Sequence, residues 1–215
     1  MKSYPSIDGP AGGHHDKCYT FLKYDGSNLR FEWSRKRGWY KFGTRKCMFD
    51  ETSPIFGPAI PLFMEKWADD LAAVFKKEKM FNGVQNVVVF GEYFGAQSFS
   101  GAHKPWDKPM AFVPFDVNLH KKGFLSPKEF IDLFGHLKIA ECIIHNENFG
   151  PKLIEDVRKE NIDILSKYEV RSEIPEGVVC KGGSGHRLWM CKIKTERYKA
   201  ALRELYEADW ECYWE

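Results

Sequence analysis

No stretch of the sequence approaches the roughly 18 uninterrupted apolar residues of a membrane-spanning helix. The N-terminal residues Met1-Lys2-Ser3-Tyr4-Pro5-Ser6-Ile7-Asp8 hold no apolar core, so no secretory signal is read there. Six cysteines are scattered at positions 18, 47, 142, 180, 191 and 212, and none forms a CxxC pair. That spacing speaks against a zinc ribbon or a thioredoxin-type motif. Free thiols in a reducing, cytoplasmic setting are expected. There is no internal repeat, no low-complexity tract and no Pro/Gly/Ser linker long enough to separate a pair of folding units. A strong charge of either sign is also missing: 32 Lys and Arg face 30 Asp and Glu, a net +2. This excludes a histone-like or acidic-tail protein.

What is present is an ordinary globular composition, with 43% apolar and 29% charged residues over 215 positions. One domain spanning residues 1–215 is expected. The aromatic share, 15%, is high. The charge is uneven: Lys17 to Lys46 carries nine Lys or Arg and two acids, whereas Glu196 to Glu215 carries three basic and six acidic residues. The basic strip is interleaved with Phe31, Trp33, Trp39, Tyr40 and Phe42. Such a strip suits a phosphate backbone with rings for stacking. It reads equally as a solvated strand face whose rings belong to the core.

Strand-like runs come first, at Cys18–Lys23, Asn28–Ser34 and Trp39–Thr44, punctuated by Asp25-Gly26 and Arg37-Gly38. Phe63, Trp67, Leu71, Val74 and Phe75 recur at helical spacing, which predicts one helix over Ala59–Lys79. Strands are read at Asn86–Phe94, Met110–Val117 and Ile139–His145. Ser126-Pro127-Lys128-Glu129 has the form of a capped helix start. A further helix is placed between Pro151 and Tyr168, then a hairpin of Gly177–Lys181 and Arg187–Lys194, then a helix over Glu196–Tyr206. Consecutive strands with helices inserted between runs predict an α+β fold, with antiparallel sheets flanked by helices.

Lys23-Tyr24-Asp25-Gly26-Ser27-Asn28 is the most informative run. A match to five fixed positions has a chance on the order of 10⁻⁴ at average residue usage. The run still reads as a plain hairpin with a surface lysine. A strand-end lysine beside a carboxylate can instead be a nucleophile. At a pKa near 10.4, only about one lysine in 2,500 is neutral at pH 7, so cationic neighbours or burial are needed. Lys192 and Lys194 alternate onto one strand face, where two like charges call for an anion between them. Glu176, entering Gly177-Val178-Val179-Cys180-Lys181, can hold a hard divalent cation or be a turn-edge glutamate. Phe90-Gly91-Glu92 supplies a second strand-end acid, and Phe115-Asp116 sets an aromatic beside a third.

The order of these pieces is Lys-x-Asp-Gly-Ser-Asn, Thr44-Arg45, Phe-Gly-Glu, Phe-Asp, Glu-Gly-Val-Val-x-Lys and Lys-x-Lys. In that order they resemble the covalent nucleotidyltransferase superfamily of polynucleotide ligases and capping enzymes. Asn28 and the start Lys2-Ser3-Tyr4-Pro5-Ser6-Ile7 are most similar to the RNA ligase 2 family of nick-sealing ligases. The resemblance covers residues 1 to 200. It implies that Lys23 becomes linked to AMP and that Glu92 contacts the ribose. It implies that Phe115 stacks on adenine and that Arg45 lies near the sugar and phosphate. Lys192 and Lys194 would bind the α-phosphate, and Asp25, Gly26 and Asn28 would complete the pocket. Glu176 would hold the metal, with Asp25 sharing its water shell. The implied cofactors are ATP and Mg²⁺ or Mn²⁺. The implied partner is a nicked duplex of RNA, DNA or both, sealed by a monomeric enzyme off the membrane. A GTP-using capping-type enzyme and a non-catalytic nucleic-acid binder are the alternatives.

Two departures from the family stand out. Only 21 residues follow Lys194, where relatives carry an OB or helical domain, so a nucleotidyltransferase domain without that addition is expected. Phe21-Leu22 precede the lysine where many relatives place a glutamate near the adenine amino group. His14-His15-Asp16 and Gly182-Gly183-Ser184-Gly185 read as loops, and His186 and Arg187 as candidate nucleic-acid contacts.

Overall fold

The computed structural model describes residues 3–14, 16–95, 109–163, 165 and 176–211. Among the described residues, ten strands form two antiparallel sheets. The strands are β1 (Lys17–Lys23), β2 (Ser27–Ser34), β3 (Gly38–Thr44), β4 (Met48–Phe49), β5 (Val87–Phe94), β6 (Ala111–Leu119), β7 (Gly123–Phe124), β8 (Cys142–Asn148), β9 (Gly177–Gly182) and β10 (Trp189–Lys194). One sheet has the order β10-β9-β1-β8 and the other β4-β3-β2-β5-β6-β7. Helices α1 (Ala59–Lys66), α2 (Ala68–Lys77), α3 (Pro127–Phe134), α4 (Pro151–Arg158) and α5 (Glu196–Tyr206) flank them. The expected α+β class is therefore observed. None of the described helices is long and apolar enough to cross a membrane.

Strand alternation sorts the basic strip. Leu29, Phe31 and Trp33 of β2 point into a core closed by Phe63 of α1, Leu71 and Phe75 of α2, and Phe130 and Phe134 of α3. Phe31 lies stacked on Phe63 with ring centroids 3.9 Å apart. Trp39 and Phe42 pack partly buried against the same cluster. Four of the five rings, Phe31, Trp33, Trp39 and Phe42, thus serve the core, while Lys36, Arg37, Lys41, Arg45 and Lys46 stay exposed. Each buried Phe in this cluster contributes on the order of 2–3 kcal/mol. A second core fills the outer face of the four-stranded sheet, where Val178, Cys180, Cys191 and Ile193 meet Leu153 and Val157 of α4. Cys18, Cys180 and Cys191 are buried free thiols, and Cys47 is an exposed one.

The predicted single helix over residues 59–79 is broken at Trp67, whose φ of −130° leaves the helical region. The cause is in the stripe: Phe63, Trp67, Leu71 and Phe75 are four apart, and each such step overshoots a turn by about 40°. The break resets the face, so all four rings and chains are buried. Strand β8 starts three residues later than read and runs to Asn148, because Lys17 pairs with Asn148. Ser126 caps α3 as expected, its Oγ accepting from Glu129 N at 3.2 Å. On α5, Tyr198 and Leu202 are buried as read, but Leu205 on the last turn is exposed.

Candidate active site

The two sheets face each other across a cleft of about 930 Å³. Its walls come from β1, β2, β5, β6, β9 and β10 and from the N-terminal segment around Asp8. Strand register builds its floor. Lys23 lies opposite Gly177, and Gly177 opposite Lys194, so the two lysines flank one glycine across three strands. Glu176 precedes that glycine and accepts from both ammonium groups: Oε2 from Lys23, and Oε1 from Lys194 at 2.9 Å. Gly177 holds φ +148°, and a Cβ there would collide with the Ile193 carbonyl. A side chain would therefore push apart the strands that set this triad.

A second row faces it from the other sheet. Asn28 on β2 pairs with Glu92 on β5, and Asn28 Oδ1 is buried with no hydrogen-bond partner among the described residues. Gly26 makes the turn between the sheets, where a Cβ would lie 2.5 Å from the Tyr93 carbonyl and 3.0 Å from Glu92 Cγ. Only glycine lets Lys23 and Glu92 approach the same space. The cleft is lined by Lys23, Gly26, Asn28, Arg45, Glu92, Phe115, Glu176 and Lys192, eight of the ten residues singled out in the sequence. Asp25 and Lys194 lie behind that lining. Asp25 Oδ2 accepts from Tyr198 OH at 3.1 Å, and Lys194 Nζ sits 5.4 Å from the Tyr198 ring centre.

The charges differ from the sequence expectation at one point. Lys192 and Lys194 were expected to lower the pKa of Lys23. Burial does act to lower it, but Glu176, Glu92 and Asp25 outweigh burial and hold it above its ordinary value. Lys194 pairs with the same Glu176 carboxylate at 2.9 Å. Burial pushes the Glu176 carboxyl up, yet the two lysines more than offset this and hold it low. Glu92 is pushed up to about 8, first by burial and then by Glu176 and Asp25, with Lys23 opposing.

Among the described residues no three His, Cys, Asp or Glu side chains converge as a metal cage. The donors still fit a magnesium-type ion, which keeps several waters and takes one or two carboxylates plus substrate phosphates. Glu176, at the cleft floor, is the donor in reach of such an ion, with Asp25 behind it.

Three further residues contact members of the candidate site, and the sequence reading gave them no role. Lys181 ends the motif begun by Glu176 and is buried, donating to Asp116 Oδ2 at 2.8 Å and to the Phe115 carbonyl at 2.9 Å. Its ammonium lies 5.3 Å from the centre of the Phe115 ring. Tyr4 OH donates to the same Asp116, and its ring meets Phe115 edge-on at 5.0 Å. Thr195 caps α5 and donates its N–H to the Glu176 carbonyl at 3.1 Å. The available signal was a lysine inside an otherwise apolar strand run, which requires a buried counter-charge.

This two-sheet cleft is that of a ligase nucleotidyltransferase domain. The sequence profile of the RNA ligase family matches residues 17–200, and the chain belongs to that family. No curated protein matches it in sequence. Among solved structures it is similar to a Naegleria gruberi RNA ligase variant with AMP and Mn, at 14% identity and TM-score 0.63, over 92% of this chain and 57% of that one. Another variant of that ligase, with ATP and Mn, matches at 14% identity and TM-score 0.61, over 91% and 57%. A candidate ATP-dependent DNA ligase from Aquifex aeolicus matches at 19% identity and TM-score 0.63, over 99% and 57%. The chain thus spans 57% of the length of these solved structures.

Proposed function

We propose that this chain is the adenylate-transferring domain of an ATP-dependent polynucleotide ligase of the RNA ligase 2 type. It would seal 3′-hydroxyl/5′-phosphate nicks in duplex nucleic acid through a lysyl-AMP intermediate. The observation that supports this best is the register Lys23–Gly177–Lys194, with Glu176 between the lysines and Glu92 and Asn28 opposite. Of the two lysines that share Glu176 it opens Lys23 to the cleft, with Glu92 and the Asn28 amide facing it.

In this reading the Lys23 amine attacks the α-phosphorus of ATP, a P–N bond forms, and the α–β P–O bond breaks to release pyrophosphate. Phe115 stacks on the base, Glu92 holds the ribose, and Arg45 and Lys192 meet the phosphates. Lys194 stabilises charge on the transferring phosphoryl group. Protonated Lys23 is no nucleophile, so before attack it must part from Glu176 and give up a proton, which passes to solvent. A divalent ion held by Glu176 would neutralise triphosphate charge and compete for the oxygen that keeps Lys23 protonated. The AMP then passes to a 5′-phosphate, and a neighbouring 3′-hydroxyl displaces it. The Asn28 of the first motif favours this reading over a capping enzyme.

The test is incubation with magnesium and α-labelled ATP or GTP, followed by a denaturing gel. Label retained from ATP alone is expected, and Glu176→Ala should slow it strongly. Label from GTP would move the reading to capping. No label from either would leave a nucleic-acid binder.

A further inference from the structure

The end of the six-stranded sheet remote from Lys23 is unusually basic. Three segments meet there: the β2–β3 turn, the C-terminal end of α2 with the 3₁₀ turn after it, and the β6–β7 turn. Arg35 joins the first two, donating to the carbonyls of Phe75 at 3.1 Å and Lys76 at 3.2 Å. Lys122 joins the third, donating to the Met80 carbonyl at 2.9 Å. Those two head groups are used in building the end, one of them closing the last turn of α2. Lys36, Arg37, Lys76, Lys77, Lys79 and Lys121 remain exposed around them. None of the six pairs with a carboxylate among the described residues, and the three segments contribute one acid, Glu78. In a chain of net charge +2, this is a local excess that costs self-repulsion unless an anion relieves it.

We propose that this end is a docking surface for the phosphate backbone of a duplex nucleic acid, separate from the cleft. The exposed large apolar side chains of the described residues are Met48, Ile55, Met64 and Leu205, and none lies in these segments. A protein partner would call for an apolar centre to the patch. A phosphate backbone calls for cations and hydrogen-bond donors and needs no apolar centre. Tyr40, flanked by Arg37 at 5.2 Å and Lys41 at 5.5 Å from its ring centre, is the aromatic at the border of the patch. The eight residues of β2 separate the two sites, about 25 Å at 3.3 Å per residue. On a duplex that is about 7 base pairs at 3.4 Å each. The position of the nick at Lys23 rests on the proposed function, whereas the docking surface itself does not.

The test compares the wild-type chain with the combined variant Lys36→Gln, Arg37→Gln, Lys76→Gln, Lys77→Gln. The probe is a fluorescent RNA duplex with one phosphorylated nick and arms of about 18 base pairs, titrated at several salt concentrations. Self-labelling with α-labelled ATP is followed in the same preparations. The variant should bind at least tenfold more weakly, with a log K versus log salt slope shallower by about 3 to 4. Trimming one arm to about 5 base pairs should abolish the difference, because that arm no longer reaches the patch. Self-labelling should be unchanged. Equal affinities and slopes would overturn the docking surface, and a difference that survives trimming of either arm would overturn its placement about 7 base pairs from a nick at Lys23. A salt-slope difference without any self-labelling in either protein would leave the docking surface standing and remove the proposed function.

Discussion

Strand β9 carries an ion pair at each end, and the two are built differently. At its start Glu176 holds Lys23 and Lys194; near its finish Lys181 holds Asp116. The Lys23 side chain keeps 22% of its surface in the open cleft, whereas Lys181 keeps 3%. One carboxylate divides itself between two ammonium groups in the first case. In the second, one ammonium group is shared among a carboxylate, a carbonyl and the rings of Phe21 and Phe115. In the proposed function the open pair is the one that would be exchanged for a ligand, and the sealed pair would hold the Phe115 ring in place.

The contrast breaks most sharply at Lys23. Lys23→Ala should reduce self-labelling from α-labelled ATP by at least about 1,000-fold, or about 4 kcal/mol of barrier. Its thermal melt should stay near that of the wild type, because Glu176 keeps Lys194 at 2.9 Å. Lys181→Met should do the reverse, costing about 3–5 kcal/mol in urea melts because Asp116 is left buried and charged. Adding Asp116→Asn should recover some of that loss. If Lys23→Ala proved as destabilising as Lys181→Met, the distinction between the two pairs would fail.

Tyr198→Phe removes the hydroxyl that donates to Asp25 and should cost about 1.5–3 kcal/mol, the range for a bond to a charged group. A dependence on pH is also expected. With Glu92 pushed up to about 8, the folded chain binds its proton more tightly than the unfolded chain does. That contribution is fully present below about pH 4.3 and is lost as pH rises toward 8, by at most about 1.4 kcal/mol per unit. Glu92→Gln should flatten this region of the stability curve between pH 5 and 8. A curve unchanged by the substitution would mean that Glu92 is ionised throughout.

The site was legible where its members are close in sequence or share a strand face. Lys192 and Lys194 fall on one face by alternation, and Lys23 with Gly26 and Asn28 by a single turn. Lys181 with Asp116, 65 residues apart, and Tyr198 with Asp25, 173 apart, were not legible. Alternation shows which way a side chain points but not which distant strand meets it. Asp25 therefore read as a pocket residue, although Tyr198 holds it behind Lys23. The same limit explains the break at Trp67: four-residue spacing signals a helix, while the correction for its drift depends on the sheet beneath. The capping box at Ser126 was legible because all its atoms lie within one turn.

The cysteines make the cleft open to optical measurement. Cys47 is exposed on the cleft rim, whereas Cys18, Cys180 and Cys191 are buried. Hydrogen bonding to Cys18 lowers the Cys180 thiol pKa, but Cys191 and burial outweigh it and push the value up to about 12. Burial also pushes Cys142 up to about 11. Thiol-directed dyes react with thiolates, so Cys142 and Cys180 should label far more slowly than Cys47 near neutral pH, and burial shields Cys18 and Cys191. With Cys212→Ser made first, since position 212 lies outside the described residues, one fluorophore on Cys47 would sit beside Arg45 and Lys46. Its emission would report filling of the cleft in real time, without a radioactive nucleotide and before any bond is made.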